Sequence, residues 1–211
     1  MTGREACLCL LKDVVQESPA DQTEALLLTE DSSLTRFAKS SVHQHVAEKN
    51  RTLILRVVKD KRIAVLTTNR LSRSSLRDLL RKAISITEVQ HPNEDFVSLP
   101  TPQSIPEINT FHENIKSLTP NRKVKVINDL FKMVRGKGLR ASGAFSNGEV
   151  EVAVVNSLGV EAYQRYSDLV FHLIVENDGG SGYTGFVSRD PDQLDIVSLA
   201  GEAIQKASRG V

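Results

Sequence analysis

The stretch SLTRFAKSSVHQHVAEKN, Ser33–Asn50, decides how the chain is read. It has no proline, no glycine and no helical stripe, so it reads as extended chain. On its left EALLLTE, Glu24–Glu30, is a run of apolar residues suited to a buried strand. On its right RTLILRVV (51–58) and KRIAVLTT (61–68) flank a short polar turn at Lys59-Asp60, a hairpin signal. Four extended segments thus lie between two helical patterns. The first pattern, REACLCLLKDVVQES (4–18), repeats Ala6, Cys7, Leu10, Leu11, Val14 and Val15 at helical spacing and is closed by Pro19. The second, SRSSLRDLLRKAISI (72–86), puts Leu76, Leu79, Leu80 and Ala83 on one face, with Ser72 as N-cap.

Five of the chain's seven prolines (Pro92, Pro100, Pro102, Pro106 and Pro120) fall between His91 and Pro120. Proline fixes φ and removes a donor, so this stretch is a surface connector. After it the order restarts. Thr119-Pro120 is an N-cap followed by a first helical residue. VKVINDLFKMV places Val126, Leu130, Met133 and Val134 on one face, and Gly136 or Gly138 ends the helix. LRASGAFS and EVEVAVVN read as strands joined by a type I′ turn at Asn147-Gly148. VEAYQRYSDLVFHLIVEN is a long extended run, SGYTGFVS follows, and Asp190-Pro191 caps a last helix, DPDQLDIVSLAGEAIQKAS.

The two halves superpose as sequences. LSRSSLRDLLRKAI (71–84) matches PDQLDIVSLAGEAI (191–204), with Leu76 on Ile196, Leu79 on Leu199, Ala83 on Ala203 and Ile84 on Ile204. TLILRVV (52–58) is laid on LVFHLIV (169–175). The expected fold is therefore α+β: a duplicated helix–four-strand–helix unit with largely antiparallel sheets flanked by helices. Residues 1–90 form the first repeat, 91–119 the connector and 120–211 the second repeat.

Composition narrows the function. The 211 residues are 40% hydrophobic, enough for a substantial core. Lys+Arg 27 against Asp+Glu 26 leaves a formal charge of +1, without the basic excess of a duplex binder. Aromatics are 5% with no Trp, which leaves few stacking platforms for single strands. Cys7 and Cys9, two apart on a helix, point away from each other and do not form a disulfide framework. The N-terminal apolar run is broken by Lys12 and Asp13, and no stretch approaches a membrane span. The expected location is cytoplasmic.

No self-contained catalytic kit is visible. His43 and His45 share a strand face, but zinc needs three or four ligands. His91, His112 and His172 stand singly, so the pair reads as a polar strand face. NDGGSG (177–182) opens a strand, not the helix a phosphate loop requires. RGKG (135–138) ends a helix, and there is no Gly-x-Ser-x-Gly elbow.

Three stretches, SLTRFAKSSVHQHVAEKNRTLILRVVKDKRIAVLTTNRL, GLRASGAFSNGEVEVAVVNSLGVEAYQRYSD and RDPDQLDIVSLAGEAIQKAS, resemble in order and spacing the N-terminal part of the TldD/PmbA (TldE) family, also labelled modulators of DNA gyrase. The resemblance implies a cytoplasmic, peptide-processing metallopeptidase system of two-fold or paired subunits. It implies zinc only in the catalytic half of the active members, held by a His-Glu-x-x-x-His motif beyond the region matched here. No zinc ligand and no catalytic residue transfers to this chain, which is expected to be inactive alone. The family's recurring positions fall on Arg36, Phe37, Gln44, Asn156, Ser157 and Gly159, as structural or interface residues. The expected role is a scaffold and subunit-interface domain. Its partners would be a second copy or a paired family subunit, with unfolded peptide as a further ligand. The rival readings are a stand-alone interaction module and, with composition against it, a gyrase-associated nucleic-acid binder.

Overall fold

The computed structural model describes residues 3–209. The chain order is α1 (Arg4–Gln16), β1 (Gln22–Ala38), β2 (Ser41–Lys59), β3 (Arg62–Thr68), α2 (Arg73–Val89), α3 (Pro120–Arg135), β4 (Arg140–Asn156), β5 (Glu161–Glu176), β6 (Ser181–Ser188) and α4 (Ile196–Arg209). Short 3-10 turns precede α3 at Glu113–Ser117 and α4 at Pro191–Gln193. The strands form one six-stranded sheet in the order β3-β2-β1-β4-β5-β6. β1 and β4 meet at its centre and run antiparallel. Ser157 N–H, just past the end of β4, donates to Thr23 O at the start of β1 (2.8 Å). Ser40 N–H, just past the end of β1, donates to Ala141 O at the start of β4 (2.8 Å).

The α+β class holds, and each half reads helix, three strands, helix rather than the expected helix, four strands, helix. EALLLTE and SLTRFAK are one strand, β1. SVHQHVAEKN and RTLILRVV are one strand, β2. The intervening turn is Lys39-Ser40, with φ 50° and 56°, which no glycine or asparagine announces. The β2–β3 turn sits one residue later than its sequence signal, at Asp60-Lys61 (φ 50° and 60°), inside the Lys59↔Arg62 pair. Asn147-Gly148 is not a turn. β4 runs straight through it, and neither residue has the positive φ a type I′ turn requires. Glycine is needed there for space, because a Cβ on Gly148 would lie 2.8 Å from Asp31 O. The largely antiparallel sheets are therefore a single sheet.

Other local readings stand. Ser72 Oγ accepts from Ser75 N–H (3.2 Å), and Thr119 Oγ1 accepts from Arg122 N–H (3.3 Å). Asp190 caps the 3-10 turn, not α4. The last helix is capped by Asp195, whose Oδ1 accepts from Ser198 N–H (3.0 Å). The helix superposition keeps burial in two of its four pairs: Ala83 and Ala203 are buried and Ile84 and Ile204 half-buried, whereas Leu76 and Leu79 are buried and Ile196 and Leu199 only half-buried. The strand superposition is out by one residue. It lays core-facing Leu53, Leu55 and Val57 on Val170, His172 and Ile174, which face away from the core formed by Leu169, Phe171, Leu173 and Val175. Side chains alternate along a strand, so a one-residue slip exchanges the faces.

By contacts the chain clusters into two units. Unit 1 takes the chain up to Glu30, Asn50–Ile108 and Glu151–Arg165. Unit 2 takes Asp31–Lys49, Asn109–Val150 and Tyr166 onward. The core of unit 1 packs Cys7, Leu11 and Val14 of α1 and Leu76, Leu80 and Ala83 of α2 on Leu27, Leu53 and Leu55. The core of unit 2 packs Ile127, Leu130, Phe131 and Val134 of α3 and Ala200, Ala203 and Ala207 of α4 on Phe37, Phe145 and Phe171. Ile127 and Phe131 face that core along with Leu130 and Val134, while Val126 and Met133 flank it half-buried. No helix among the described residues is long and apolar enough to cross a membrane.

Candidate functional site

In unit 2 the end of β1 and the start of β2 carry three of the motif positions. Their turn is anchored from outside the hairpin: Ser40 Oγ accepts from Ala141 N–H (3.0 Å), and Arg135 donates to Ser40 O (2.7 Å). Phe37 is 1% exposed. Its ring lies 5.6 Å from that of Phe131, edge-on, and 6.3 Å from that of Phe171. Gly143 makes room for it, since a Cβ there would stand 2.7 Å from Phe37 Cζ and 2.1 Å from His172 O. Phe37 is thus a core residue. Arg36 and Gln44 are exposed and bond to one another across the hairpin (Nη1 to Oε1, 3.3 Å). His43 is exposed.

His45 belongs to a polar cluster that pattern reading missed. Its Nδ1 shares a hydrogen bond with the buried Thr35 Oγ1 (2.8 Å). Nearby Lys123 is fully buried on α3. Its Nζ donates to Ser33 Oγ (2.6 Å) and Ser33 O (3.1 Å) and sits 5.8 Å from the centre of the Phe145 ring. Ser33 Oγ in turn donates to Asn147 Oδ1 (3.0 Å). Burial pulls the Lys123 pKa down from 10.5 to about 8, because an ammonium loses its hydration there. His45 is largely exposed, and its pKa is held below the ordinary value by partial desolvation of the ring first and by the Lys123 charge second. The sequence does carry a signal for this cluster. Lys123 stands four residues before Ile127 and seven before Leu130, on the apolar stripe of α3.

In unit 1 the turn between β4 and β5 holds the other three positions. Asn156 is 3% exposed, and its Oδ1 accepts from Leu158 N–H and Val160 N–H (both 3.0 Å). Its Nδ2 donates to Pro100 O (2.8 Å), tying the turn to the proline-rich connector. Ser157 Oγ accepts from Thr23 N–H (3.0 Å), and Gly159 has φ 97° with Pro102 packed near it. This side-chain arrangement closes a turn.

Neither group suits a metal. His45 has one ring nitrogen occupied, and the ammonium of Lys123 nearby repels a cation. Among the described residues no three His, Cys, Asp or Glu side chains are grouped to hold an ion. The zinc implied for catalytic members of the family therefore finds no matching ligand set among the described residues. Unit 1 has one more buried polar pair that sequence reading missed. The Glu151 carboxylate accepts from Tyr163 OH (2.5 Å) and Gly3 N–H (2.7 Å), and burial followed by that carboxylate raises the Tyr163 pKa.

Comparison with known proteins agrees with the fold. The chain superposes on TldE from Thermococcus kodakarensis with a TM-score of 0.82 at 18% identity, over 97% of this chain and 47% of that one. It superposes on a candidate modulator of DNA gyrase from Bacteroides thetaiotaomicron with a TM-score of 0.83 at 17% identity, over 99% and 50%. A similarly described protein from Thermotoga maritima gives 0.77 at 14%, over 89% and 44%. The chain spans about half the length of these structures or less. A search of curated proteins finds no match. Two family models match in sequence order: PmbA/TldA metallopeptidase domain 1 over residues 24–87, and the PmbA/TldA metallopeptidase central domain over 113–211. With both domains present in that order on this fold, the chain belongs to the TldD/PmbA family.

Proposed function

We propose that this chain is the scaffold and subunit-contact part of a TldD/PmbA-type peptidase assembly in the cytoplasm. It helps enclose the peptide and hydrolyses nothing by itself. The observation that carries the reading is the ordered match to domain 1 and the central domain. Both groups of motif residues support it, because they brace turns. Arg36, Phe37 and Gln44 hold the β1–β2 hairpin, and Asn156, Ser157 and Gly159 hold the β4–β5 turn against β1 and the connector. The same reading takes residues 1–90 and 120–211 as two copies of one ancestral unit joined by 91–119.

Size-exclusion chromatography with light scattering tests it, using this chain alone and mixed with a full-length zinc-bearing family member. A mixed complex, with peptidase activity confined to the zinc-bearing chain, is the expected result. A chain that associates with no family subunit would overturn the scaffold role and leave an independent interaction module.

A further inference from the structure

We propose that the groove between the end of α1 and α2 binds the C-terminal carboxylate of a peptide whose last residue is apolar. The site lies wholly in unit 1 and does not depend on the scaffold reading. The groove is open on one side and has a volume of about 810 Å³, within the size range of small-ligand sites. Its floor is apolar, made of Pro19 and of Leu80 and Ile84 from α2. Its rim is charged. Arg77 and Arg81 stand about one turn apart on α2, Glu17 lies just past the end of α1, and Ser85 follows one turn after Arg81.

One carboxylate of the chain itself is already held here. Arg77 Nε donates to Glu17 Oε2 (2.8 Å) and Arg77 Nη2 to Glu17 Oε1 (2.9 Å). Arg73 Nη2 adds a third bond to Oε1 (3.1 Å). Two parallel bonds from one planar guanidinium are the strong form of carboxylate recognition. The hydrogen bond from Arg77 first, and that from Arg73 after it, hold the Glu17 pKa down to about 2.

Arg73, Arg77 and Arg81 recur every four residues, so they form a ladder on one face of α2 with rungs about 6 Å apart. Glu17 fills the first gap, between Arg73 and Arg77. The second gap, between Arg77 and Arg81, is the one that opens on the apolar floor. Glu17 does not use Arg77 Nη1. Arg81 is paired with Asp78 of its own helix, an exposed pair of the kind that contributes little and exchanges readily. Within the groove two guanidinium groups meet one carboxylate, so the lining carries a net positive charge. A second carboxylate in that gap repeats the Glu17 arrangement one turn further along.

The lining also selects what the carboxylate is attached to. Pro19, Leu80 and Ile84 give apolar surface enough for one side chain, not for a long acyl tail. The open side and the Ser85 hydroxyl leave polar room for amide groups. An apolar side chain beside a carboxylate, followed by amides, is a peptide C-terminus, and capture of that group by fixed donors is a recurring mode of recognition.

NMR titration of the isotope-labelled chain tests this with acetyl-Ala-Ala-Leu as the free acid, the same peptide as its amide, acetyl-Ala-Ala-Ser as the free acid, and decanoate. The first peptide should shift the backbone signals of α2 around Leu80 and Ile84. Its amide should bind about tenfold more weakly or worse, for want of the charged pair, and the serine peptide more weakly for want of the apolar anchor. Arg81→Gln should cost the free acid about tenfold and leave the amide unaffected. That variant should keep its Tm, because the Arg81 side chain is 79% exposed. Arg81→Lys, which keeps the charge and loses the fork, should recover only part of the affinity. The proposal is overturned by acid and amide that bind alike, by an Arg81→Gln chain that binds as the wild type does, or by no binding up to about 10 mM. Decanoate that binds as tightly as the peptide overturns the peptide C-terminus as the ligand. Each of these failures leaves the scaffold reading standing, because the mixed complex with a zinc-bearing relative is measured separately.

Discussion

Lys123→Met isolates the energetic consequence of burying a lone ammonium. Lys123 is fully buried, its Nζ donates to Ser33 Oγ and Ser33 O, and its pKa falls from 10.5 to about 8. In the unfolded chain the amine stays protonated until about pH 10.4. Between these values the folded state binds fewer protons than the unfolded state, so stability rises with pH across the window. A tenfold change in proton affinity corresponds to about 1.4 kcal/mol, so the full rise is about 3 kcal/mol. Below pH 8 both states are protonated and the charged amine carries its whole desolvation penalty. The methionine variant has no such titration, although it strips Ser33 O of its donor at a cost of about 1–3 kcal/mol at every pH. Urea unfolding of both proteins at pH 7, 8, 9 and 10 gives the difference curve, in which titrations that do not sense Lys123 cancel. Wild type should gain on the variant by up to about 3 kcal/mol from pH 8 upward. A flat difference would refute the reasoning and show that the buried amine is as well solvated by Ser33 and Phe145 as by water.

The same cluster predicts that Lys123→Met raises the His45 pKa toward its ordinary value, read by NMR titration of the imidazole; an unchanged midpoint would mean the two groups do not sense each other. With its folded pKa depressed, His45 favours folding when neutral, and that contribution is lost as pH falls below about 6.5 through the folded value. Asn156→Ala strands two turn N–H groups and Pro100 O, so urea melts should show a loss of about 2–4 kcal/mol. Gly182→Ala puts a Cβ 2.1 Å from Ala203 O and 2.7 Å from Ala207 N, forcing α4 off β6. The expected cost is about 2 kcal/mol or more, seen as a Tm lowered by about 5 °C. Lys61→Gly relieves a left-handed backbone at φ 60° and should stabilise by about 1 kcal/mol, unless the Lys61–Glu94 ion pair is worth more than surface pairs usually are.

The helices are legible in the sequence because their information is local. Ser72, Thr119-Pro120 and the stripe Leu76, Leu79, Leu80 and Ala83 each act within a turn or two of chain. The strands are less so. Glu30–Ser33 is polar and reads as a break, yet β1 continues through it, since neighbouring strands supply the hydrogen bonds whatever the side chains are. Asn147-Gly148 carries the strongest turn signal in the sequence, and its glycine instead serves the close approach of Asp31. The true turn, Lys39-Ser40, is set from outside by Ala141 and Arg135, which no local pattern encodes. Of the polar groups, the His43/His45 spacing stands out in the sequence, whereas the residues that shape the environment of His45, Thr35 on β1 and Lys123 on α3, are separated from it along the chain.

The two halves share one order of elements, and the bulk of their cores comes from different places. α2 brings Leu76, Leu79 and Leu80 to a sheet surface of Ala25, Leu27, Leu53, Leu55 and Ala64. α4 brings Ala200, Ala203 and Ala207, and the volume returns from the strands and α3 as Phe37, Phe145, Phe171 and Phe131. Total volume and patterning are what a core must conserve, so large and small positions can trade sides without changing the fold. Polar groups follow the same logic. Cys7 opens the buried stripe Cys7, Leu11 and Val14 of α1, with the Glu151 carboxylate near enough to raise its pKa after burial itself. Lys123 opens the stripe Lys123, Ile127 and Leu130 of α3, against Ser33. The first helix of each half thus opens its buried stripe with a polar side chain, and the rest of each core is completed differently. Burial therefore aligns the two halves where residue type does not.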